Sequence, residues 1–186
     1  ADASLCACFS GQTADEVRAS RIFIRAMLAV ASVFFPALCG GVTLDVLSGE
    51  IACGELVGRT EASLTLRGSA NAADLAWIAD NCRELRILDL SGLTIEPCSL
   101  EKGLVNGLRE FPGGVLPAYS LSGLMAQTLV LPEGISEICD GALLGSAVTG
   151  LTLPASVRLI GQGAFAACEA LRHVSLGASV EVIGTC

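Results

Sequence analysis

Aromatic residues are scarce in this sequence. One Trp, one Tyr and six Phe make up 4% of 186 residues. A core built around a few large rings is excluded, and Leu, Ile, Val and Ala must fill the interior instead. Lysine occurs once, at Lys102, and histidine once, at His173. Charged residues are only 16% of the chain, yet the net charge is −8. An acidic chain lacks the basic footprint that phosphate backbones demand, so nucleic acid and anionic membrane surfaces are disfavoured as partners. Disorder is excluded by a hydrophobic fraction of 52%. A length of 186 residues suffices for one domain with a sizeable core.

No C-x-x-C pair occurs among the nine cysteines (Cys6, Cys8, Cys39, Cys53, Cys82, Cys98, Cys139, Cys168 and Cys186). Zinc sites need paired ligands at tight spacing, and one histidine cannot complete such a set. No metal and no cofactor is therefore expected. The thiols read as small buried hydrophobes, with one or two disulfides open to an exported chain.

Arg18, Arg21 and Arg25 precede the apolar run Ala26 to Cys39, and the uncharged stretch to Leu44 is interrupted by Pro36 and Gly40-Gly41. Positive charge, an apolar stretch and small residues together describe a secretory signal, placed at 21–41. A retained membrane anchor and a buried core helix are the alternatives. "PALC" is similar to a bacterial lipoprotein box, although Leu38 stands where that box has a small residue. Residues 1–20 form an N-terminal extension on which no function is built. The remaining domain is expected at 42–186, with a further portion beyond its C-terminus.

What the sequence has in abundance is self-similarity. "TLVLPEGISEICDGALLGS" from Thr128, "GLTLPASVRLIGQGAFAAC" from Gly150 and "HVSLGASVEVIGTC" from His173 align with spacings of 22 and 23 residues. Leu131, Leu153 and Leu176 coincide, as do Ile138, Ile160 and Ile183. A partial earlier copy sets Leu116 and Leu121 each 22 residues before Ile138 and Leu143. A fixed period in the low twenties signals a leucine-rich repeat. Upstream, Leu64 and Leu88, and Leu66 and Leu90, are each 24 apart. Between them "NAADLAWIADNC" reads as a helix near 72–81, capped by Asn71 with Asp74 in its first turn. Leu75, Ile78 and Ala79 share its apolar face, with Trp77 half-buried beside it. Residues 94–112 are irregular, with one strand expected near Leu108. The fold class is an α/β leucine-rich-repeat solenoid, a parallel sheet of stacked 22–24-residue repeats that is β-rich in the C-terminal half.

The repeat also decodes Gly161, Gly163 and Ala166, which spell the G-x-G-x-x-A of a dinucleotide loop. The preceding copy has Cys139 in place of Gly161 and makes the same loop. Gly141 and Gly163 are then turn residues with positive φ, Ala142 and Ala164 small inward residues, and Leu143 and Phe165 core. A nucleotide site would need a long helix after the glycines, whereas a strand-like run begins at Leu171.

In L-x-x-L-x-L the leucines point inward and the intervening residues face outward. The outward ladder comprises Arg86 and Asp89, Gln127 and Val130, Thr149 and Thr152, and Arg172 and Ser175. Such a ladder is the default interaction surface of a solenoid. His173 and Ser175 share a face by strand alternation, but no carboxylate lies in that run and no G-x-S-x-G occurs, so a hydrolase is disfavoured.

"VTGLTLPASVRLIGQGAFAACEALRHVSL", Val148 to Leu176, resembles the BspA-like leucine-rich repeat of bacterial surface proteins. "TLDVLSGE", "NAADLAWIADNC" and "LRILDLSGLTI" resemble N-terminal regions of such proteins from Bacteroides-type bacteria. Leu143, Ser146 and Gly177 depart from the family's usual Phe, Cys and Pro. The resemblance implies a secreted or surface-attached, non-enzymatic module. Its expected role is adhesion or protein binding, with host matrix proteins such as fibronectin and fibrinogen as partners. Membrane contact is expected only through an N-terminal anchor. A structural stalk presenting a further domain is the second reading.

Overall fold

A computed structural model describes residues 41–49, 51, 62–100 and 110–185. The signal-like segment, residues 1–20, Leu108 and Cys186 lie outside these. Six parallel strands form the first sheet: β1 (Val42–Val46), β2 (Ser63–Ala70), β3 (Ile87–Ile95), β6 (Thr128–Val130), β8 (Gly150–Thr152) and β10 (His173–Ser175), in that spatial order. A second parallel sheet joins β7 (Glu137–Ile138), β9 (Leu159–Ile160) and β11 (Val182–Ile183). The helix α1 (Ala72–Asn81) comes after β2. A two-stranded antiparallel pair, β4 (Cys98–Ser99) with β5 (Glu110–Phe111), interrupts the series after β3.

The expected register holds. Thr128 pairs with Gly150, and Gly150 with His173. On the second sheet Ile138 pairs with Ile160 and Ile160 with Ile183, while Leu116 bridges Ile138 from the earlier copy. Leu64 pairs with Leu88, but the register then shifts, so that Arg67 meets Gly92. The turns are laddered too. Tyr119 and Leu121 donate their N–H groups to the carbonyls of Asp140 and Ala142, and Gly141 and Leu143 repeat this on Gln162 and Ala164. Each coil thus satisfies backbone groups of the one before, which is what buried polar backbone requires.

Between the sheets lies the core. Leu129, Leu131, Leu151, Leu153, Ile135, Val157, Ile138 and Ile160 are all buried. Leu176 departs from expectation. It occupies the inward position of Leu131 and Leu153, yet it is 51% exposed against 2% and 3%. Those two are covered by the next coil, and among the described residues no coil covers Leu176. Val182 and Ile183 are exposed for the same reason. Phe165, expected in the core, is half-buried and packs against its edge.

Helix α1 forms where the sequence places it. Asn71 accepts from the N–H groups of Ala73 and Asp74, and the Asp74 carboxylate accepts from Asn71 N–H at 3.0 Å, completing a capping box. Leu75, Ile78 and Ala79 are buried, and Trp77 is half-buried against the core. Ala72 and Ala73 pack instead with Leu100 and Phe111 in a small second cluster, so the β4–β5 pair covers the start of the helix.

Candidate functional site

The first sheet presents its outer side as rows of side chains that repeat from strand to strand. Adjacent parallel strands are about 4.8 Å apart. The central row runs Thr43, Thr65, Asp89, Val130, Thr152, Ser175, with pairings set by the register of the six strands. A leading row runs Arg86, Gln127, Thr149, Arg172. Its backbone continues the ladder one residue before each strand. Arg86 N–H donates to Ala62 O at 2.8 Å, Gln127 to Arg86 at 2.9 Å, Thr149 to Gln127 at 3.0 Å and Arg172 to Thr149 at 2.9 Å.

All eight residues expected on the ladder therefore stand in two continuous rows. Arg86, Gln127, Val130, Thr149, Thr152 and Arg172 are exposed, while Asp89 and Ser175 are partly covered. The Asp89 carboxylate is engaged locally, accepting from Ser91 N–H at 2.9 Å. The Thr149 hydroxyl donates to Gln127 O at 3.2 Å. Val130 is 41% exposed, an apolar point amid hydroxyls.

Sequence reading missed a third row between these two: Ile87, Thr128, Gly150 and His173. They pair strand to strand, and Ile87, Thr128 and His173 are exposed. Period-two alternation around Leu88, Leu129, Leu151 and Val174 carries the signal, because the residue before each points outward like the residue after. The outward residues of β1 and β2, Thr43 and Thr65, were also missed, although β1 stands 22 residues before β2 throughout its length.

His173 and Ser175 do share the outer face. No hydrogen bond joins the His173 ring to Ser175 or to a carboxylate among the described residues. The pair thus has neither the link between nucleophile and base nor the orienting group that activation requires. Among the described residues no group of three or more His, Cys, Asp or Glu side chains gathers as metal ligands.

The glycine-rich stretch is committed to the repeat. Gly161 N–H donates to Ile138 O at 2.7 Å, Gln162 N–H to the Asp140 carboxylate at 2.6 Å, and Gly163 N–H to Thr185 O at 2.9 Å. Ala166 N–H closes on Gly163 O at 2.9 Å. Amides that would cradle a phosphate are already used between coils.

Cys82, Cys98, Cys139 and Cys168 are free thiols, each half-buried rather than fully enclosed. The other five cysteines lie outside the described residues. Burial pushes the Cys139 thiol up to about 12, with the neighbouring Glu137 charge adding to the effect. Burial raises Cys82 as well. Cys168 donates to Leu143 O at 3.0 Å and lies 3.4 Å from the Ser146 hydroxyl, so Ser146 takes the place of a thiol in the same stack. No helix among the described residues is long and apolar enough to cross a membrane.

Comparison with known proteins adds three findings. No curated protein matches the chain. A leucine-rich cell surface protein from Faecalibacterium prausnitzii A2-165, known by crystal structure, matches at 20% identity and a TM-score of 0.32. That match covers 60% of this chain and 38% of the other, so this chain spans well under half of that protein. The family model described as "BspA type Leucine rich repeat region (6 copies)" matches residues 115–186. Those residues hold the in-register coils from Leu116 to Ile183, and over them the chain is similar to the BspA-type leucine-rich repeat.

Proposed function

We propose that this is a non-enzymatic binding module, exported to the cell surface or beyond, that takes a protein ligand on the outer face of its first sheet. The observation that carries this reading is the continuity of the face. Two rows of side chains cross β3, β6, β8 and β10 in register, a third continues the backbone ladder one residue before each strand, and most of their members are exposed. Rigid, extended sheets of this kind are the usual binding surfaces of solenoids. The reactive pair at His173 and Ser175 lacks the support catalysis needs. Adhesion to host matrix proteins is the role implied by the family likeness.

Biolayer interferometry against immobilised fibronectin and fibrinogen tests the reading. Saturable binding by the wild-type chain is expected, lost in Thr152→Arg and kept in Arg158→Ala. Thr152 lies in the central row between Val130 and Ser175, whereas Arg158 lies beside the second sheet, 3.9 Å from Glu181. Binding that survives Thr152→Arg and disappears in Arg158→Ala would move the site off the first sheet.

A further inference from the structure

The charges of the C-terminal coils are segregated. From β6 to β11 the carboxylates are Glu133, Glu137, Asp140, Glu169 and Glu181, and each stands in a turn or along the second sheet. None is on a strand of the first sheet. The leading row of that sheet begins with Arg86 and ends with Arg172, both exposed. Neither arginine has an ion-pair partner among the described residues. Between them lie Gln127 and Thr149, which are uncharged, and His173 adjoins Arg172. The nearest acidic residues in sequence are Glu84, exposed two positions before Arg86, and Asp89, held by Ser91 N–H. A chain of net charge −8 thus keeps a strip of its binding face free of carboxylates and sets at each end an arginine that has no ion-pair partner among the described residues.

The geometry points to an acidic, extended polypeptide segment as the ligand of this strip, lying across the strands with one carboxylate on Arg86 and another on Arg172. This rests on the reading of the first sheet as a protein-binding face and names the chemistry of its partner. Arg86 and Arg172 are three strand steps apart, about 14 Å at the spacing of a parallel sheet. An extended chain advances about 3.3 Å per residue, so carboxylates about four residues apart match the two guanidinium groups. Arginine suits the task because its planar fork holds a carboxylate through two parallel N–H bonds. The middle of the strip offers the Gln127 amide and a threonine, which fit small polar side chains or peptide groups. Screening at physiological salt confines the repulsion of the distant carboxylates to about 8 Å, so the local charge of the strip governs.

The probe is a short peptide with glutamates at its first and fifth positions and Ser and Thr between them. It is titrated into the full chain labelled with 15N. Amide and arginine Nε signals of Arg86, Gln127, Thr149 and Arg172 should shift together and saturate. The apparent Kd should weaken as salt rises. The double variant Arg86→Glu, Arg172→Glu, whose remaining spectrum reports on folding, should bind about tenfold more weakly or not at all. A peptide with its two glutamates adjacent should also bind more weakly.

Shifts centred on Arg158, equal binding of the two peptides, or equal binding by the double variant would each overturn the proposal. So would tripolyphosphate binding as tightly as the spaced peptide, since that would reveal a diffuse basic field. If the peptide fails while Thr152→Arg still abolishes capture by matrix proteins, only the acidic ligand falls and the sheet remains the binding face.

Discussion

At the scale of the residue, two columns of left-handed backbone set the turn of each coil. Tyr119, Gly141 and Gly163 have φ of 57°, 59° and 59°, and Gly123, Gly145 and Ala167 have 68°, 66° and 56°. A left-handed conformation costs a residue with a Cβ about 1–2 kcal/mol. Gly141 is constrained twice, because a Cβ there would also run into the Tyr119 ring, whereas nothing lies near that of Gly145. Gly141→Ala should therefore lower the urea midpoint more than Gly145→Ala does, and Ala167→Gly should leave stability unchanged or raise it. Equal losses at positions 141 and 145 would remove the role given to Tyr119. The first column was legible in the sequence at Gly141 and Gly163, because two successive copies keep the glycine. The second was not, because Ala167 breaks it in the last copy.

Cys139 provides a second residue-scale test. Its thiol is held neutral by burial and by Glu137, with a pKa of about 12 against an ordinary value of 9.0. Below about pH 9 both folded and unfolded thiols are protonated, and the fold keeps its full stability at this position. As pH rises from there toward about 12, only the unfolded thiol ionises, and stability is lost. A Cys139→Ser variant should show a shallower alkaline decline than the parent chain. Iodoacetamide at pH 8 should leave Cys139 unmodified in the native chain and label it in urea, because the thiolate is the reactive form. Native labelling at the rate of a free thiol would contradict the assignment.

At the scale of the element, helix α1 was legible almost to the residue. Its cap, its first-turn acid and its apolar face are all local signals. What sequence did not reveal is the second duty of Asp74. Its carboxylate also accepts from Gly49 N–H at 2.6 Å, while the Asn71 amide donates to Ser48 Oγ at 2.9 Å. The cap thereby fastens the chain after β1 to the start of the helix, a contact 25 residues apart that no local pattern encodes. Asp74 is fully buried. Asp74→Ala would leave two donors without their acceptor and should cost about 1–3 kcal/mol in a denaturant titration. Asn71→Ala should cost about 0.5–2 kcal/mol. If neither substitution moves the midpoint, the network is dispensable. The strands obeyed a similar rule. The repeated β6, β8 and β10 could be aligned by eye, and β1 stands 22 residues before β2, whereas the short β4–β5 pair has no copy to align with.

At the scale of the whole molecule, stability is a sum over coils and the contacts between neighbours. Leu153 is enclosed by a coil on each side, so Leu153→Ala should cost about 2–5 kcal/mol. Leu176→Ala should cost far less, because its side chain is already half in water. Thr152→Ala, on the outer face, should cost little. The period announced the solenoid and the direction of its leucines, but burial depends on what lies above a coil. That is why Leu176 and Phe165 were misjudged from pattern alone. The face was legible as two rows and not three, because counting from the leucine motif fixed attention on the first and third outward positions.

Both the binding face and the strip along it exist only if successive coils stack in parallel, strand for strand. Backbone NOEs in a three-dimensional NOESY spectrum of the intact chain test this most directly. Stacked coils should give the cross-strand pattern of parallel sheet linking Ile87 to Thr128, Thr128 to Gly150 and Gly150 to His173. Contacts displaced by a residue, or arranged in the antiparallel pattern, would turn the rows to the wrong face and contradict the stacking.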